Sequence, residues 1–294
     1  MDNLPLDLLR PIIENLADDS RSLLAVSLAS RQLRVEGQRI LFRKVAPLMV
    51  RVRHAKFLNA IISSSLLASL VEEYHQFNVN HREYHEPFWR LTCRGLQAMV
   101  NLKIFRFRMF AYEASAEIFH GCTFQLEVLH WSNDGELIFD FLQTQPQLHT
   151  LRVYWRHPEL DTSGICPGLQ VLDGDLSTIN AFLPGRRVTS LIWTPNKEER
   201  LLNDSIDHLS EKFQHIRFFS FGGTWGRPRF DRVIGHLRAI EVLELVGLES
   251  LAVPVCLRKF LCDNVHFLIN HPGTSISFRH PHVTNSHPLP CFCV

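Results

Sequence analysis

The chain has 294 residues, enough for one large domain or a small module beside a larger one. Its 31 basic and 30 acidic residues leave a formal net charge of +1, which argues against nucleic acid or a membrane surface as a partner. With no run of about 18 apolar residues, a membrane-spanning helix is not expected.

The seven cysteines form no C-x-x-C pair. Cys93, Cys122, Cys166, Cys256 and Cys262 read as small core residues, with Cys291 and Cys293 in the tail. An odd, scattered set suits a reducing compartment, and no charged-then-apolar leader opens the chain, so cytoplasm or nucleus is expected.

The first elements read as three short helices. Leu4-Pro5 opens the first, with proline where a missing N–H costs nothing. Leu8, Leu9, Ile12, Ile13 and Leu16 recur at helical spacing but occupy two adjoining stripes. Asp18-Asp19-Ser20 supplies an N-cap for a second helix carrying Leu23, Leu24, Val26 and Leu28. Ser30 caps a third, with Leu33, Val35, Ile40, Leu41 and Phe42. So small a unit has too little interior for all these side chains, and some should bury against something else.

This segment resembles the F-box at the N-terminus of many fungal F-box proteins. The matching residues are Leu4-Pro5, Leu8-Leu9, Ile12, Leu16, the stretch Val26-Ser27-Leu28-Ala29-Ser30-Arg31, and Leu41-Phe42-Arg43-Lys44-Val45. Asp7 stands where that family usually has glutamate, and no tryptophan closes the last helix. The resemblance implies docking to the Skp-type adaptor of a cullin-RING (SCF) ubiquitin ligase, and through it to a cullin. The adaptor-binding residues it implies are Leu4, Pro5, Leu8, Leu9, Ile12, Leu24 and Leu28. The alternative is a helical cap on the rest of the chain.

The remainder is a repeat. Seven stretches share the spacing apolar, two residues, apolar, one residue, apolar: Leu102/Phe105/Phe107, Leu126/Leu129/Trp131, Leu148/Leu151/Val153, Leu169/Leu172/Gly174, Val188/Leu191/Trp193, Ile216/Phe219/Phe221 and Ile240/Leu243/Leu245. Their middle positions lie 19 to 28 residues apart, in or near the leucine-rich-repeat range of about 20–29. One short strand per turn, with alternate side chains turned inward, gives a solenoid with a continuous core. Leu137/Ile138/Phe141/Leu142, Leu176/Ile179/Phe182/Leu183, Leu201/Leu202/Ile206/Leu209 and Phe230/Val233/Ile234/Leu237 form helical stripes between strands. Arg156 to Gly168 is too broken for a helix. Ahead of the repeats, residues 52–62 read as a helix and residues 70–77 as a degenerate first strand. Leu257/Phe260/Cys262 read as a shortened last repeat, and the asparagine of regular repeats recurs only as Asn196. The expected architecture is a helical F-box over residues 1–45, an irregular α/β leucine-rich-repeat solenoid with a parallel concave sheet over 46–270, and a disordered tail over 271–294.

Chemical motifs do not assemble. His81 and His85 lack the glutamate that a zinc-protease helix needs, Arg82 standing in its place. His271, His280, His282, His287, Cys291 and Cys293 show no recurring ligand spacing, so no metal site is expected. The glycines at 222, 223 and 226 precede no lysine-serine pair, and they read as a turn beside Trp225, Arg227 and Arg229. No G-x-S-x-G occurs and no cysteine has a local histidine partner, so neither catalysis nor a cofactor is expected.

The function implied is a ligase substrate receptor, with a scaffold outside any ligase as the alternative. In the first case tethering would hold substrate lysines near the charged ubiquitin-conjugating enzyme at an effective concentration of order millimolar. The side chains expected to face a protein substrate are Arg106, Arg108, His130, Arg152, Tyr154, Ser220 and Glu244.

Overall fold

A computed structural model of the chain describes residues 5–45, 51–79, 86–109, 116–157, 159–196, 206–222, 233–246, 266–271 and 274–278. The chain divides after Gln170 into two compact units.

The first unit opens with α1 (Leu6–Glu14), α2 (Ser20–Ala29) and α3 (Arg31–Arg43). Pro5 is the N-cap of α1. Asp19 caps α2, accepting from the backbone N–H groups of Arg21 and Ser22, and Ser30 caps α3 through Leu33 N–H. Ile13, Leu23 and Ile40 form a small core, with Leu9, Leu16, Val26, Leu33 and Leu41 packed against it. Gly37 lets α2 and α3 approach closely: a Cβ there would lie 2.2 Å from Ser27 Oγ. Glu36 is buried and binds Arg10 at 3.0 Å and Arg39 at 2.9 Å, while Arg39 also reaches Glu14 at 2.9 Å, tying α1 to α3. Burial works to raise the Glu36 carboxyl, but the hydrogen bonds and charges of the two arginines outweigh it and hold the pKa below the usual range.

Helix α3 runs directly into β1 (Lys44–Val45), which pairs parallel to β2 (Glu73–Val79). Between these strands lie α4 (Arg51–Ser63) and α5 (Ser65–Ser69). Next come α6 (Glu86–Ala98), β3 (Ile104–Met109), a 3-10 turn at Ala116–Phe119 and β4 (Val128–Asp134). A second 3-10 turn at Gly135–Ile138 leads into α7 (Phe139–Gln143), and β5 (Thr150–Tyr154) follows. The strands pair parallel in chain order, and the register aligns Val45, Tyr74, Phe105, Leu129 and Leu151 in one buried row. Phe107 and Trp131 form the next row, stacked with ring centroids 4.7 Å apart, and behind them Phe119 stacks on Phe141 at 4.0 Å. Gln145, buried, accepts from Leu126 N–H at 2.8 Å and so satisfies that backbone donor.

The second unit holds β6 (Val171–Gly174), α8 (Leu176–Phe182), β7 (Ser190–Trp193), a 3-10 turn at Asp207–Leu209, α9 (Ser210–Phe213), β8 (Phe218–Gly222) and β9 (Val242–Val246). It ends with β10 (His266–His271) and β11 (Thr274–Phe278). Leu172, Leu191, Phe219 and Leu243 align in register, so the expected middle positions again form the core row. Asp175 caps α8 through Thr178 N–H at 3.0 Å and takes a hydrogen bond from Asn196 Nδ2 at 2.9 Å, which gives the lone repeat asparagine its role.

Strands alternating with helices at a leucine-rich-repeat period, with one buried row per strand position, make both units leucine-rich-repeat-like α/β structures. The helix expected at residues 52–62 is α4, and no helix forms in the described residues between 156 and 168. Two details differ from the sequence reading. Leu70 caps α5, and the strand begins three residues later, at Glu73. Thr274–Phe278, expected to be disordered tail, pairs antiparallel with β10. Leu257, Phe260 and Cys262, expected to form a shortened last repeat, lie outside the described residues, and the strand that pairs with β9 is His266–His271. Leu201, Leu202 and Phe230 also fall outside the described residues.

Candidate functional site

Two surfaces of the first unit gather the side chains singled out by the sequence. On the helical module, Ile13 and Leu16 turn inward from α1 while Leu8 and Ile12, one turn apart, turn outward. On α2, Leu23, Val26 and Ser27 turn inward while Leu24 and Leu28 turn outward. Leu8 is 54% exposed, Ile12 56%, Leu24 54%, Leu28 71% and Val35 of α3 61%, although the module already has its own core. Pro5 is exposed beside them. Leu9 is half-buried and belongs to the adjoining stripe, which packs on Ile13, Leu23 and Ile40. Leu4 lies outside the described residues. Val35 was not singled out, and its spacing could not have separated an outward valine from an inward one.

The second surface is the polar face of β2 to β5. The parallel register aligns His75, Arg106, His130 and Arg152 across four neighbouring strands, at about 4.8 Å per strand. Arg108 lies two residues beyond Arg106, and Tyr154 two beyond Arg152. At the β1 side, Glu73 is the hub of the charges: His75 Nε2 lies 2.6 Å from its Oε1, Arg106 Nη1 donates to the same oxygen, and Lys44 Nζ sits 3.3 Å from Oε2. Burial works to raise the Glu73 carboxyl; hydrogen bonds from His75 and Arg106 and the charges of His75 and Lys44 outweigh it and hold the pKa down. His75 is itself pushed down, first by burial and then by Arg106 and Lys44, against the pull of Glu73. His130 is pushed down to about 4 by burial, with Arg106, Arg152 and His75 adding to it. The His130 imidazole is therefore neutral at pH 7, flanked by permanent guanidinium charge. The sequence reading missed His75 and Glu73, because β2 lacks the apolar spacing that marked the other strands.

The remaining expected residues belong to the second unit. Ser220 is corrected: it is buried, its small side chain covered between Ile192 and Glu244, its neighbours in register. Glu244 is half-buried on β9. His81, His85, Trp225, Arg227, Arg229 and the histidines and cysteines from His280 onward lie outside the described residues. Among the described residues no three His, Cys, Asp or Glu side chains converge as a metal set, and no helix is long and apolar enough to cross a membrane.

The sequence matches no protein-family model and no curated protein. Among solved structures, the chain is similar to the leucine-rich repeat-containing protein LegL7 from Legionella pneumophila. The two share 11% identity over 84% of this chain and 91% of that one, with a TM-score of 0.46.

Proposed function

We propose that this chain is the substrate-recognition subunit of an SCF-type ubiquitin ligase. The helical module docks the Skp-type adaptor, and through it a cullin, while the strand face holds a protein substrate in cytoplasm or nucleus. No bond chemistry falls to this chain; its contribution is proximity. The observation that supports this reading best is the outward set Leu8, Ile12, Leu24, Leu28 and Val35 on a module with its own core. A helical cap on a solenoid turns its apolar residues in. Five large apolar side chains left at the surface of so small a unit are what a protein partner covers.

The test is a pull-down of the purified adaptor by wild type, by Leu8→Ala/Leu28→Ala, and by Leu66→Ala, which trims an exposed leucine of α5. Burying one leucine is worth about 1.5–3 kcal/mol, so the double variant should bind at least tenfold more weakly, on the order of 2 kcal/mol or more. The Leu66 variant should bind like wild type. Well-folded wild type that does not hold the adaptor would overturn the proposal and favour a leucine-rich-repeat interaction scaffold outside the ligase.

A further inference from the structure

If the polar face of β2 to β5 is the substrate surface, its charges specify a class of substrate, a step that rests on the receptor reading. The charged residues Lys44, Glu73, Arg106, Arg108 and Arg152 of strands β1 to β5 fall on one parity, opposite the Tyr74, Phe105, Leu129, Leu151 row. Four bases share that parity with Glu73, a mainly basic set in a chain that is almost neutral overall. Arg106 and Arg152 stand two strands apart, roughly 10 Å, with His130 between them in register. Each guanidinium offers a planar fork of donors, and the neutral imidazole can donate one N–H.

We propose that Arg106, His130 and Arg152 form the seat for an anionic side chain of a bound peptide, a phosphoryl group or clustered carboxylates. An oxyanion over His130 would sit one strand spacing, about 4.8 Å, from the Arg106 and Arg152 positions on either side, and its charge would offset the field that the two arginines impose on that histidine. Glu73 holds Arg106 and His75 from the far side, which fixes the Arg106 guanidinium before a ligand arrives. Hydrogen bonds between ionised partners of this kind are shorter and stronger than neutral ones. The low charge of the rest of the chain keeps the attraction local rather than general.

The experiment uses the full chain and fluorescence anisotropy at two salt concentrations. The probes are hexaglutamate, a hexapeptide Ala-Ala-phosphoSer-Ala-Ala-Ala, its unphosphorylated form and a ten-residue oligouridine. Wild type is expected to bind at least one anionic peptide at least tenfold more tightly than the unphosphorylated peptide, more weakly at high salt. Which of the two binds distinguishes clustered carboxylates from phosphate. Arg152→Gln, which leaves the Glu73 cluster whole, should lose at least tenfold, and Arg106→Gln/Arg152→Gln should lose the remainder. Arg217→Gln, an exposed arginine near Glu241 in the second unit, should change nothing. Failure of both anionic peptides to bind, equal loss from the Arg217 variant, or preference for oligouridine would each overturn the assignment. Adaptor capture by Arg152→Gln separates the two proposals: it should remain intact whether or not the anion seat exists.

Discussion

Replacing Gly135 with alanine is expected to lower the melting temperature of the first unit by about 4–8 °C, while Gly164→Ala in the same unit leaves it unchanged. Gly135 opens the 3-10 turn after β4, and a Cβ there would lie 2.6 Å from Trp155 Cε3, 2.6 Å from Val153 Cγ2 and 3.0 Å from the Tyr154 carbonyl oxygen. None of these neighbours yields cheaply. Trp155 and Val153 are fully buried, and the Trp155 indole N–H is held by the His157 carbonyl at 2.9 Å. Overpacking of this kind costs about 1–3 kcal/mol, and alanine's better helical propensity returns at most about 1. A net loss of about 2 kcal/mol in a unit of this size corresponds to the stated shift, at about 2–4 °C per kcal/mol. Gly164 has nothing within 4 Å of an added Cβ, so its variant should melt within about 1 °C of wild type. Thermal melts by circular dichroism at one scan rate decide the matter. If the two variants melt together, the close approach of β5 to the 3-10 turn does not constrain the fold.

Two further predictions concern buried polar groups. His54 is buried against Tyr74 and Phe88, and burial pushes its pKa down to about 4 from an ordinary 6.5. The unfolded chain therefore takes up a proton that the folded chain refuses, so this stability is complete above pH 6.5 and is lost as pH falls toward 4. The full effect is about 3 kcal/mol, and His54→Phe should flatten the slope of urea stability over that window; identical slopes would refute it. Asp175, at the start of α8, accepts from Thr178 N–H at 3.0 Å, Thr178 Oγ1 at 2.8 Å and Asn196 Nδ2 at 2.9 Å. Asp175→Ala removes the acceptor that caps α8, at a cost of about 2–3 kcal/mol, so amide exchange across residues 176–182 should accelerate while that of α2 stays unchanged. Unchanged protection of α8 would show that the cap does not hold it.

The repeat was legible because seven strands carry the same apolar spacing, and the structure places Phe105, Leu129 and Leu151 in one register and Leu191, Phe219 and Leu243 in another. Strands that lack the spacing were not legible in the same way. β1 has only two residues, and β2 sets Tyr74 between Glu73 and His75, so neither shows the repeat pattern. The anionic hub at Glu73 was hidden for the same reason. Arg106, His130 and Arg152 could each be named as strand residues facing away from the core, but their alignment is a property of register, which no single strand encodes. In α1, helical spacing exposed two stripes without saying which turns inward; packing against Leu23 and Ile40 chose the Leu9 side.

The junction of α3 with β1 has a practical consequence for anyone who truncates this protein. An unpaired strand edge is a template on which other chains can assemble. Here the edge of β2 is occupied by Lys44–Val45, a strand too short to recruit a neighbour, with a lysine at its rim and a helix running straight into it. Removing the helical module at its apparent boundary would take that strand away and bare the Glu73–Tyr74 backbone. The shortened chain would then be prone to self-association for reasons unrelated to any lost partner. Point changes at Leu8 and Leu28 avoid this, because they alter the outer face of the module and leave the sheet closed.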